Sequence, residues 1–182
     1  MFGYRGQILR VNLSEKKVAK DTFAEADARR FLGGRGLAAE ILFDELAAGI
    51  DPLGPENKLV YATGPFAGTG FPLNSRWIVA GKSPLTGIWG EAACGGTFAV
   101  QLRKAGYDAL VVEGAASSPV YLDILDDDVL FKDASHLWGK MTLETELTIG
   151  HDLGIMTRRE DDPAVVCIGP AGERLVKFAM VP

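Results

Sequence analysis

Cysteine is scarce in this chain: Cys94 and Cys167 are the only two in 182 residues. They make no Cys-x-x-Cys and no finger spacing, so this stretch alone builds neither a structural zinc site nor an iron–sulfur cluster. Free thiols are expected, because nothing suggests export. No apolar run approaches the roughly 20 residues that a membrane-spanning helix needs. The opening MFGYRGQILRVNL alternates where a signal peptide would be an apolar block, so the expectation is a cytoplasmic protein with no membrane partner. A basic excess is missing too. Nineteen Lys and Arg stand against 24 Asp and Glu, for a net charge of −5, and this argues against nucleic acid as a partner. Histidine is reduced to His136 and His151, neither beside a cluster of other ligands.

Glycine, by contrast, is abundant: 22 residues. Eight of them fall between Thr63 and Gly96, a strip whose single carboxylate is Glu91. Residues 64–104 hold four Lys and Arg against one acidic residue, while residues 105–182 hold six against fourteen. A locally cationic, glycine-rich strip in an acidic chain suggests a small anion.

The pattern of elements predicts an α+β fold. Gly6–Phe23 alternates about a polar turn and reads as a β-hairpin. AEADARRFL reads as a helix, Gly33-Gly34-Arg35-Gly36 as a break, and roughly Leu37–Ala47 as a second helix with Leu37 and Ile41 inward. KLVYATG and SRWIVAGKS read as strands, Thr97 as the N-cap of a helix that stops at Gly106, and DALVVEG as a strand. The second half repeats the order: the hairpin PVYLDILDDDVLFKD, the helix TLETELTIGHDLG, then strands on both sides of Gly169-Pro170, as Gly64-Pro65 stands between strands. The expectation is therefore an α+β chain built of hairpin, helix, strand, Gly-Pro loop and strand in each half. It would be internally pseudo-duplicated over about 6–114 and 119–182, with the second copy incomplete at the C-terminus.

Residue types within the strip sketch a phosphate cradle. A glycine pair opening a helix offers unpaired N–H groups at the positive end of its dipole. Arg76 adds a planar charged fork, and Lys82 a further charge. Arg76 and the amides of Gly95-Gly96 would converge on one concave spot. The plain alternative is that these glycines shape turns and Arg76 is a surface residue. No GxxxxGK[ST] phosphate loop is present. Cys94 reads as a small core residue, or as a thiol activated by the helix start. The Asp126-Asp127-Asp128 run reads as a solvated hairpin tip. From the residues alone the sequence offers an anion site and no complete catalytic constellation, so a non-catalytic phosphate- or nucleotide-binding module and a scaffold domain both stay open.

The order of motifs adds to this. FLGGRGLA, DPLGPENKLVYATGPFAGT, GKSPLTG, AGYDALVVEG, DASHLWGK and IGPAGERLVKFA, from about Gly6 to Pro182, resemble the N-terminal domain of the tungsten-containing aldehyde:ferredoxin oxidoreductases. The resemblance implies a single N-terminal domain, 1–182, of two antiparallel β-sheets with intervening helices that forms a base for tungstopterin: two pyranopterins holding tungsten or molybdenum, their phosphates bridged by magnesium. It also implies oxidation of an aldehyde to a carboxylic acid, with ferredoxin as electron acceptor. Arg76, Gly95 and Gly96 would be the cofactor-binding residues and the Ala93 carbonyl a magnesium ligand, with no catalytic residue in this stretch. The [4Fe-4S] cluster would belong to later domains of the full-length enzyme. The expected partners are those domains and ferredoxin, with a homodimer left open, and the isolated fragment is expected to be inactive.

Overall fold

The alternation near the N-terminus does build a hairpin. In the computed structural model, which describes residues 2–155 and 162–181, β1 (Gln7–Asn12) and β2 (Lys17–Thr22) pair antiparallel. Helices α1 (Glu25–Phe31) and α2 (Gly34–Glu45) follow. The second helix begins at Gly34, three residues ahead of the Leu37 expected from sequence. The chain reverses through positive φ values at Gly33 and Gly34, and Gly36 then lies hard against α1. A Cβ there would stand 2.1 Å from the Phe31 carbonyl oxygen, so the glycine run is what lets the two helices meet.

Strands β3 (Lys58–Thr63), β4 (Trp77–Lys82) and β5 (Trp89–Cys94) come next, then α3 (Phe98–Lys104) and β6 (Ala109–Glu113). The six strands form one sheet in the order β2-β1-β6-β3-β4-β5. The expected second sheet is the hairpin of β7 (Val120–Leu125) and β8 (Asp128–Asp133). Four of the five pairings in the larger sheet are antiparallel, and β1 runs parallel to β6. The long excursion between these two strands supplies the crossover that a parallel pair requires.

The large sheet is covered on both faces. Ile8, Val60, Ala62, Ala80, Ala109 and Val111 face α1 and α2, where they meet Leu37, Ala38, Ile41 and Leu42. Alternate residues, Leu9, Val11 and Leu110, meet Leu102 of α3 and Leu122, Ile124 and Phe131 of the small sheet. Helix α4 (Thr142–Asp152) closes a smaller cluster of Ala134, Leu137 and Ile149.

The second half departs from the sequence reading beyond that helix. No strand forms on either side of Gly169-Pro170 among the described residues. Instead Pro170 opens a one-turn helix, α5 (Pro170–Glu173). A strand exists only with a ladder partner, and residues 163–169 and 174–181 have none there. Residues 156–161, inside the expected second repeat, lie outside the described set. Among the described residues no helix is long and apolar enough to cross a membrane.

Candidate anion-binding site

The register of the large sheet decides what gathers at each of its ends. Thr63 pairs with Trp77, and Trp77 with Cys94. The segments beginning at Gly64, ending at Arg76 and beginning at Gly95 therefore leave the sheet side by side at one end. Arg76 is exposed, and it makes no ion pair or hydrogen bond to a described residue. Gly95 and Gly96 are exposed as well. The amides of Gly95, Gly96 and Thr97 donate to no described residue. A Cβ added at Gly95 or Gly96 would meet nothing within 4 Å, so a ligand atom could approach this backbone closely.

Two details set the direction of main-chain groups here. The Ser83 amide donates to the Ile88 carbonyl at 2.8 Å, which makes 83–88 a hydrogen-bonded pair. Such pairs alternate along an antiparallel ladder, so Trp77–Cys94 is bonded and Ile78–Ala93 is not. Strand β5 is the edge of the sheet. The Ala93 carbonyl therefore points outward from the edge, with no ladder partner. In addition, the Trp77 indole N–H donates to the Gly95 carbonyl at 3.0 Å.

The cationic character of the strip is more concentrated than its composition suggests. Lys82 is at the far end of β4, about 17 Å from Trp77 at the usual rise per residue, and its ammonium donates to the Ile50 carbonyl at 2.6 Å. It does not belong to the site; a strand spaces its two ends too far apart. Arg103 is buried in an ion pair with Asp108. Glu91 is held by Arg35 through Nε to Oε2 at 2.6 Å and a second bond from Nη2, and this pairing keeps its carboxyl below the usual carboxylate range. The only carboxylate of the strip is thus neutralised by the arginine of the glycine run at α2. That contact, across 56 positions, was not legible in the sequence. What stays uncommitted is Arg76.

Other expectations are modified. Helix α3 spans only seven residues and Thr97 makes no side-chain capping bond, so the strip relies on individual amides more than on a helix dipole. Two cavities among the described residues, of about 770 and 630 Å³, are lined by none of Arg76, Ala93, Gly95 and Gly96. Cys94 and Cys167 are free thiols; Cys94 packs beside Trp77 and Ala99, and burial pushes the Cys167 thiol up. His136 bonds Asp152 at 2.9 Å on the surface. Among the described residues no group of three or more His, Cys, Asp or Glu side chains could hold a metal ion.

Fold and strip together define a class: an α+β scaffold domain that presents an exposed, glycine-lined edge carrying one free arginine. The comparisons refine it. The family model for the aldehyde ferredoxin oxidoreductase N-terminal domain matches residues 8–182, and the chain belongs to that family. It is 46% identical over 181 residues to the tungsten-containing aldehyde ferredoxin oxidoreductase of Pyrococcus horikoshii, and 47% identical to that of Thermococcus kodakarensis. Each match covers 100% of this chain and 29% of the relative, so the chain spans less than a third of their length. The aliphatic sulfonate oxidoreductase WOR-like subunit of Pyrococcus furiosus is 35% identical over 191 aligned residues, 100% of this chain and 30% of that protein. Among solved structures, the active site complex BamBC of benzoyl coenzyme A reductase with 1,5-dienoyl-CoA matches with a TM-score of 0.93 and 35% identity, over 100% of this chain and 27% of that one.

Proposed function

We propose that this chain is the cofactor-base domain of a tungsten–pterin oxidoreductase that oxidises aldehydes to carboxylic acids and passes the electrons to ferredoxin, the catalytic machinery being completed by other domains. The observation that carries the reading is the pairing of an uncommitted Arg76 with the undonated amides of Gly95, Gly96 and Thr97 at one sheet end. The residues fit a phosphate-bearing group: the guanidinium offers a bidentate fork, the amides offer neutral donors, and the two glycines leave room for close approach. The outward Ala93 carbonyl suits a hard cation such as magnesium, which takes oxygen ligands. When bound, the tungsten–pterin group supplies the two-electron chemistry. This chain's residues hold and orient it, and no side chain here is assigned a proton transfer. An iron–sulfur cluster, if the enzyme carries one, requires cysteines beyond the two present.

The test is tungsten and pterin analysis of the complete enzyme, purified without oxygen, beside its Arg76→Ala variant. The wild type is expected to contain both. A charge-assisted bidentate contact contributes about 1.5–3 kcal/mol, so the variant is expected to bind the group about ten- to a hundredfold more weakly, with the thermal midpoint of the ligand-free protein unchanged. Equal metal and pterin content in the two proteins would refute the role of Arg76.

A further inference from the structure

We infer that Trp77 is a positioning residue, one that aims the Gly96 amide at the bound anion; the inference rests on the cofactor-base reading above. Trp77 is 3% exposed and packs among Ala67, Val79, Ala99 and the rings of Tyr61 and Phe98. Its centroid lies 4.7 Å from that of Phe98 and 5.9 Å from that of Tyr61. The indole is therefore held firmly, and its one polar atom donates to the Gly95 carbonyl at 3.0 Å. A trans peptide sets the carbonyl of one residue opposite the N–H of the next. The bond that draws the Gly95 carbonyl to the α3 side of the sheet thus turns the Gly96 N–H to the other side. The Ala93 side chain shares that other face with its cross-strand partner Ile78, which packs toward α2, and Arg76 enters β4 immediately before Trp77.

The need for such a device follows from the glycines. Gly96 sits at φ +85°, and neither it nor Gly95 has a side chain to restrict rotation of the shared peptide plane. No other hydrogen bond to this plane comes from a described residue. Holding it before the ligand arrives removes an ordering cost from binding. Trp77 never needs to touch the ligand to do so.

The experiment removes the donor and keeps the shape. β-(3-Benzothienyl)alanine at position 77 replaces the indole N–H by sulfur, and Trp77→Phe is the genetic counterpart. In the complete enzyme each is expected to lower pterin affinity about three- to tenfold; the ligand-free isosteric variant is expected to keep a thermal midpoint close to that of the wild type, whereas Trp77→Phe also loses core packing and unfolds at a lower temperature. In the ligand-free protein, a ¹³C-labelled Gly95 carbonyl is expected to show a higher infrared stretching frequency, as befits a lost hydrogen bond. A packing role alone would not move that band in the isosteric variant. Full pterin retention in the benzothienyl variant, while Arg76→Ala loses the cofactor, overturns the inference and spares the cofactor-base reading. Retention in all of them overturns both. Should Trp77→Phe fail to fold, the isosteric variant decides alone.

Discussion

At the scale of single residues, two arginines of the same strip have opposite environments. Arg76 is exposed and idle within this chain, whereas Arg103 is buried against Asp108, with side-chain exposures of 5% and 2%. Asp108 also accepts the amides of Arg5 at 3.0 Å and Gly6 at 2.6 Å, and Arg103 donates to the Gly3 carbonyl at 2.5 Å. The pair thereby fastens the N-terminal segment to the α3–β6 corner. Removing one member of a buried pair strands the other's charge, at a cost of about 3–5 kcal/mol. We expect Asp108→Ala to lose that much stability in urea unfolding, and the Asp108→Leu/Arg103→Met double variant to lose clearly less. Composition counted both arginines equally toward the strip's positive charge. Only the burial of one tells the two apart, and burial is a tertiary property.

Elements show where sequence reasoning succeeded and where it failed. Both hairpins were legible, because apolar alternation about a polar turn is a local signal. The edge strand β5 was not: WGEAAC is poor in β-branched residues and mostly exposed, and it is a strand because β4 templates it. The register that brings Arg76 level with Gly95 is equally non-local. So is the cluster that joins α2 to the sheet, in which Lys58 pairs with Glu113 and with Glu45 at 3.2 Å, while Arg10 meets Glu45 at 2.5 Å. Lys58 holds the Glu113 carboxyl below the usual range. Burial pushes Glu45 upward, but Arg10 and Lys58 more than offset this. Carboxylates with depressed folded values stabilise the protein above their unfolded value near 4.3, and that stabilisation is lost as pH falls through the folded value. The thermal midpoint is therefore expected to drop on acidification below about pH 4.3, and to drop less steeply in Lys58→Met, which has less of this pairing to lose.

For the whole molecule, the proposed role gives this sheet end as one wall of a site that other domains would complete. Arg76 and the amides of Gly95 and Gly96 are exposed there, and the relatives are more than three times as long as the matched stretch. We expect the chain by itself to turn over no aldehyde in a dye-reduction assay. Turnover by the lone chain would contradict the proposed role as a base. The outward carbonyl of Ala93 has a last implication. A contact made by main chain carries no genotype of its own: position 93 could drift among many residue types without disturbing it. What encodes it is the phase of the pleat, set at the β4–β5 turn, residues 83–88. Deleting one residue from that turn would shift the pairing and swing the oxygen into the sheet, so this corner is vulnerable to changes in length more than to changes in letter.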